Sequence, residues 1–275
     1  MRYAVKDPVT RQREEKALAS LVDYRVVEGV AEIVMNRPPV NAINFQLARE
    51  VVDAYHRARD DQSARAIILA SALPTVFSAG FDLKLAVSMD GQGLRRFLEL
   101  FYYEMHEAQY RMGKPTIAAV NGHAKAAGVT WAVSCDMIVA AEEAEMAYPE
   151  INVGLMPAMH VVHLPRQVGR HRAAELLFTG DTVPARTLYD WGVINHLVPR
   201  AEVLPKARAL ARNLAAKSPI AMKLLRDSFM RANDLDYRRA IESVVETMCN
   251  LKDSEDSHEA LQAFVEKRQP VYRGR

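Results

Sequence analysis

Cysteine is nearly absent from this 275-residue chain, with Cys135 and Cys249 its only two thiols. They fall on separate elements, so no disulfide framework is expected and a reducing cytoplasm is the anticipated location. Cys135 ends the apolar run 131–135 and reads as a buried structural thiol. No apolar run approaches the ~20 residues of a membrane span, so no membrane partner is expected. Residues 1–19 mix Arg2, Lys6, Arg11 and Arg13 with Asp7, Glu14 and Glu15 and carry no apolar core of a secretory signal. Excess charge is also lacking. Lys and Arg number 36 against 34 Asp and Glu, a net +2 that argues against nucleic acid as a partner. Neither a Gly-Lys-Ser phosphate loop nor a G-x-G-x-x-G follows a strand, so nucleotide hydrolysis and dinucleotide redox have no signature.

What is present is an ordinary globular composition, 49% apolar and 25% charged, on a chain long enough for a large α/β core. Residues 1–19 read as a polar arm, 20–199 as the core and 200–275 as a helical module. Strand patterns at 24–27 and 31–35 flank Glu28-Gly29, a hairpin signal. Helical spacing covers 46–60, a buried strand 64–72, a loop 84–93 and one amphipathic helix 94–112. Strands are expected at 116–120, 137–140 and 146–148, with a short helix over 127–134. After Gly169 helices are expected at 172–179, 184–191, 201–217, 220–232, 237–251 and 257–267, and a last strand at 193–198. Thr182 and Pro184 read as a helix start. The apolar faces of the tail call for a neighbour to bury them.

The segments 78–83 and 121–128 each follow a strand-like run and consist mostly of residues too small to bar a ligand from the backbone. Two such segments can present two main-chain N–H groups to one developing negative charge. Glu150 lies a short strand beyond the second. Donors and a base together suggest enolate chemistry. His160 and His163 stand nearby; as a metal pair they lack further ligands, so no metal is expected.

In order along the chain, Asn36-Arg37-Pro38 with Asn41-Ala42-Ile43-Asn44, Phe77 to Lys84, Lys114 to Gly122, Cys135-Asp136, Pro149-Glu150-Ile151 with Gly154 and Pro157, and Phe264 to Arg268 resemble the marks of the enoyl-CoA hydratase/isomerase, or crotonase, family. The similarity runs from about Val22 to the C-terminus. It implies an α/β crotonase spiral of ββα turns with two nearly perpendicular sheets, and trimers or hexamers joined through the C-terminal helices. It implies a coenzyme A thioester as substrate, with no separate cofactor. The N–H groups of Phe81 and Ala127 would hold the thioester oxygen, and Glu150, its pKa raised against an apolar acyl chain, would move the proton. Ala79, Gly80, Asp82, Leu83 and Lys84 would receive the coenzyme, with Phe264 and Lys267 reaching the nucleotide from a neighbouring subunit.

The departures from the family pattern narrow the chemistry. Thr130 stands where hydratases of the family carry their first glutamate, and Ala158 where certain isomerases and dehalogenases place an aspartate. Alanines at 126 and 127 replace part of a glycine run. With one carboxylate left, double-bond isomerisation is the economical reading. Hydration, lyase or hydrolase chemistry through Glu150 and water remains an alternative, as does a non-catalytic acyl-CoA binding subunit. His160 either supplies a second acid or base or packs at the core edge; His123, beside the second segment, is a candidate ligand contact.

Overall fold

The computed structural model describes residues 19–233, 237–271 and 273. The expected N-terminal arm, apart from Ala19, lies outside the described residues. β1 (Val22–Val27) and β2 (Val30–Met35) form the anticipated antiparallel hairpin. Glu28 and Gly29 at its tip have φ of 52° and 79°, as a two-residue turn matched to strand twist requires. α1 (Phe45–Asp60) then crosses to β3 (Ala66–Ser71). The Asn44 side chain caps α1 by accepting from Leu47 N, and Leu47, Val51, Val52 and Tyr55 face the core. At its other end the Lys114 ammonium donates to the carbonyls of Ala58, Arg59 and Asp61, so this lysine of the family marks has a scaffold role.

β5 (Thr116–Val120), β7 (Met137–Ala141) and β10 (His196–Val198) complete a six-stranded sheet in the order β1-β2-β3-β5-β7-β10, parallel at every step beyond the hairpin. Burial on both faces explains why β3 and β5 read as continuous apolar runs. A second sheet joins three-residue strands, β4 (Val76–Ser78), β6 (His123–Lys125), β8 (Glu145–Ala147) and β9 (Thr182–Pro184), in that order. Each turn of the chain lays one strand in the large sheet, the next in the small one, then a helix. β3-β4 leads to α2 (Leu83–Val87), and β5-β6 to α5 (Ala127–Val133). β7-β8 leads to α6 (His160–Val168). This is the ββα repeat that the resemblance implied.

Between α2 and β5, α3 (Gly91–Leu98) passes through a π turn, Glu99–Glu104, into α4 (Met105–Tyr110). The later helices are α7 (Arg170–Thr179), α8 (Ala185–Asp190), α9 (Val203–Ala215), α10 (Pro219–Asn233), α11 (Tyr237–Lys252) and α12 (Glu255–Glu266). α11 packs on α3, and α12 on α2. Buried charges tie the helices to the sheet. Arg208 of α9 and Arg25 of β1 bracket Glu32, and Arg226 of α10 grips Asp136. Asp136 also accepts from the Thr116 N–H and hydroxyl, so the Cys135-Asp136 mark is structural; Cys135 is buried, as expected.

Several local expectations need correction. The stretch 84–93 is not a loop: Asp82 caps α2 and Asp90 caps α3. The helix expected over 94–112 carries the π turn, whose extra residue rotates the face behind it. Thr182 opens β9, because its stretch pairs antiparallel with β8. α6 had no expected helix; Pro165 sits within it. Glu150 lies in a 3-10 turn, Pro149–Val153, just past β8. Among the described residues no helix is long and apolar enough to cross a membrane.

Candidate functional site

The loop before α1 shapes the first segment. Asn41 donates to Phe77 O and Ser71 Oγ and accepts from Arg37 N, while Ser78 Oγ donates to Asn41 O. Arg37 bonds Ala42 O and pairs with Asp82. Ile43 N donates to Gly80 O at 2.7 Å, and Asp82 N donates to Ile43 O at 3.0 Å, a parallel bridge of Ile43 to Phe81. In that pattern the N–H of Phe81 itself faces away from Ile43. The family marks at 37–44 thus clamp 77–82.

The second segment lies directly against the first. A Cβ built on Gly80 would fall 2.6 Å from Lys125 O and 3.2 Å from Ala127 N. One built on Gly128 would fall 2.5 Å from Ser78 O. Only residues without a side chain allow this approach, and Gly80 also holds φ +88°. Ala126 has φ 48° and ψ −125°, a conformation that alanine adopts at a cost. Its N–H donates to Ala147 O, and Ala127 is the first residue of α5. Among the described residues, neither the Phe81 N–H nor the Ala127 N–H has a protein acceptor. The partial positive charge at the start of α5 adds to the field there.

These segments open on a cavity of about 340 Å³. Its walls include Ala79, Phe81, Leu83, Phe97, Phe101, Tyr102, Ala127, Glu150, Leu155, Met248 and Phe264. Phe81 and Phe97 stack with ring centroids 4.3 Å apart, and Phe97 and Phe101 continue the stack. Phe101 and Tyr102 come from the π turn, which explains how neighbouring residues both reach the cavity.

Glu150 is the sole carboxylate among the described residues lining this cavity. Its side chain is 12% exposed and its Oε2 has no hydrogen-bond partner. Burial raises its pKa from 4.5 to about 7. The group closest to a counter-charge is His160, whose Nε2 lies 4.0 Å from Glu150 Oε1. Burial pushes His160 down to about 3, so at neutral pH it is an uncharged imidazole and no ion pair forms. The phenols of Tyr102 and Tyr148 are raised, by burial first and by the Glu150 charge second. They stay protonated. A carboxyl with a pKa near neutrality, in a cavity lined also by Phe81 and Ala127, can take up and return a proton.

The expected site residues divide. Phe81, Ala127, Glu150, Ala79, Leu83 and Phe264 meet at the cavity. Phe264 lines the cavity of its own chain, whereas the resemblance implied reach into a neighbour. Gly80 supports the site by close approach, and Asp82 is taken up by Arg37 and the α2 cap. Lys84 and Lys267 are exposed and do not line the cavity. Thr130 and His160 are buried behind the wall, Nε2 to Oγ1 at 3.1 Å. Ala158 is buried without lining the cavity, and His123 is turned toward Glu145, 3.6 Å away. Lys125, Asn152, Val153 and Met248 line the cavity and had no expected role. Lys125 and Asn152, next to a small-residue segment and to Glu150, carried a signal in their positions.

A family model described as enoyl-CoA hydratase/isomerase matches residues 25–275. Carnitinyl-CoA dehydratase of Escherichia coli is 33% identical over 258 residues, spanning 90% of this chain and 95% of that protein. The solved enoyl-CoA hydratase of Bacillus anthracis superposes with a TM-score of 0.74 at 28% identity, covering 93% of this chain and 100% of that one. The enoyl-CoA hydratase/isomerase of Pseudoalteromonas atlantica T6c reaches 0.82 at 25% identity, covering 92% and 100%. This chain belongs to the enoyl-CoA hydratase/isomerase family.

Proposed function

We propose that the protein acts on an acyl-coenzyme A thioester, holding its carbonyl oxygen with the N–H groups of Phe81 and Ala127 and moving a proton with Glu150. The observation that supports this reading is the single Glu150 carboxyl, whose Oε2 has no partner, in a largely apolar cavity that Phe81 and Ala127 also line. In isomerisation, Glu150 takes a proton from C2 of a 3-enoyl thioester. The electron pair spreads into a dienolate whose oxygen the two donors hold. The same carboxyl returns the proton to C4, leaving the double bond at C2. Each donor of this kind contributes roughly a hundred- to a thousand-fold in rate. The exposed ammonium groups of Lys84, Lys125 and Lys267 suit the coenzyme phosphates.

The name of the Escherichia coli relative favours a second reading, removal or addition of water. There Glu150 would take the C2 proton and deliver it to the departing C3 hydroxyl, so that water leaves. A homo-oligomer is part of the proposal. Ile220, Leu224, Leu225 and Phe229 of α10 are 60–73% exposed and invite a partner surface.

Purified protein incubated with 3-enoyl-CoA and, separately, 2-enoyl-CoA tests the choice. Double-bond migration without hydration supports the isomerase; rapid hydration of the 2-enoyl thioester supports the second reading. Tight thioester binding with no turnover and no C2-proton exchange in heavy water would overturn both.

A further inference from the structure

His160 is wholly buried, sits outside the cavity lining, and is held at both ring nitrogens. Its Nε2 lies 3.1 Å from Ala126 O and 3.1 Å from Thr130 Oγ1; its Nδ1 lies 3.0 Å from His163 Nε2. His163 is one turn further along α6, on the same helix face. His163 Nδ1 has no partner.

These contacts choose the tautomer. If Nε2 were bare, it could accept from the Thr130 hydroxyl but would face the lone pairs of Ala126 O, and the His160 Nδ1–H would have to donate to His163. The remaining His163 N–H would then be a buried donor with no acceptor. In the other arrangement the His160 Nε2–H donates to Ala126 O, and the His163 Nε2–H donates to His160 Nδ1. The unpartnered atom is then only an acceptor lone pair, a smaller cost than an orphaned N–H. The neutral state of both rings fits one proton each.

Ala126 O and Ala127 N–H belong to one peptide unit. In a trans peptide the carbonyl and the N–H point in opposite directions, so whatever fixes the oxygen aims the hydrogen. We infer that His160, held in its Nε2–H tautomer by His163, is a positioning residue that aims the Ala127 N–H at the substrate oxygen by binding Ala126 O. Ala126 O also accepts from Val129 N at 2.9 Å and Thr130 N at 3.2 Å, so His160 adds a side-chain hold to these two backbone bonds at a turn whose positive φ alanine disfavours. A donor on the carbonyl also polarises the peptide, which strengthens its N–H toward an acceptor. The inference rests on the proposed role of Phe81 and Ala127.

The test separates the two. Butyryl-CoA labelled with carbon-13 at its thioester carbonyl is bound to the wild type, His160→Leu, His160→Gln and His163→Leu, and the carbonyl stretching band is read by difference infrared spectroscopy. The wild type is expected to shift the band to lower frequency. His160→Leu should lose most of that shift and lower kcat about ten- to a hundredfold, with KM changed less than threefold, a smaller loss than removal of the donor itself. His160→Gln keeps an N–H where Nε2 stood and should recover most of the shift. His163→Leu, which frees the tautomer without touching Ala126, should lose part of it. No shift in the wild type would overturn the proposed site and this inference together. A wild-type shift left intact in His160→Leu would overturn this inference alone. If His160→Leu does not fold, an unchanged shift in His163→Leu overturns it.

Discussion

Gly80 and Ala126 meet where the two donor segments cross: a methyl on Gly80 would lie 2.8 Å from the Ala126 Cβ and 2.6 Å from Lys125 O. One of these neighbours is backbone, so it cannot rotate away. Gly80→Ala must also hold φ +88°. The expected outcome is a loss of about 2–4 kcal/mol in unfolding free energy, from overpacking and backbone strain together. Activity should fall more than a hundredfold as the Phe81 and Ala127 N–H groups move apart. Urea unfolding and a turnover assay check both; an active Gly80→Ala enzyme would mean that the two segments do not need this contact.

Ala126→Gly should act in the opposite direction on stability. The substitution relieves a strain of about 1–3 kcal/mol at φ 48°. It also gives the unfolded chain extra freedom, which offsets about 0.5–1 kcal/mol. The expected net gain is about 0.5–2 kcal/mol, read as a higher urea midpoint with an unchanged m-value. An unchanged or lower midpoint would show that the turn tolerates alanine without strain.

Much of this geometry was legible in the residues. The Glu28-Gly29 hairpin, the buried strands 116–120 and 137–140 and helix α1 follow from short-range pattern, because each shows a turn signal, a continuous apolar run or one helical period of apolar residues. The elements that escaped depend on distant partners. β4 and β6 are three residues long and exist only because neighbours supply their hydrogen bonds. α6 was hidden by Pro165, which its packing tolerates. At the site, Glu150 and the small-residue turns are visible as residue types. The contacts of His160 with Thr130, 30 residues earlier, and with His163, three residues later, leave no sign in the apolar flanks of His160.

Arg226 offers a control remote from the cavity. Its guanidinium is 5% exposed and bonds both Asp136 oxygens, at 2.8 and 3.1 Å, tying α10 to the start of β7. Arg226→Met leaves the mostly buried Asp136 carboxylate with only the Thr116 N–H and hydroxyl as donors among the described residues, and breaking such a pair costs about 3–5 kcal/mol. The expected variant unfolds at lower urea yet, while folded, retains KM within about threefold, since no cavity wall is removed. A large rise in KM with unchanged stability would contradict that division of labour.

Glu150→Gln should separate stability from activity, and in a pH-dependent way. The folded carboxyl titrates near 7 against an ordinary value of 4.5, because burial disfavours the charge. Between those values the unfolded chain releases a proton that the folded chain keeps. Stability therefore falls as pH rises through this window, and the full penalty is present above about 7. At about 1.4 kcal/mol per pH unit, the penalty is at most about 3 kcal/mol. Glutamine carries no such charge. The variant should match the wild type in unfolding free energy near pH 4.5 and exceed it by about 1–3 kcal/mol at pH 8, while losing about a hundred- to ten-thousandfold in kcat. The wild-type kcat/KM should rise with pH through about 7 as the base ionises. Equal stabilities at pH 8, or an acid limb near 4.5, would mean that Glu150 is solvated and not the buried base.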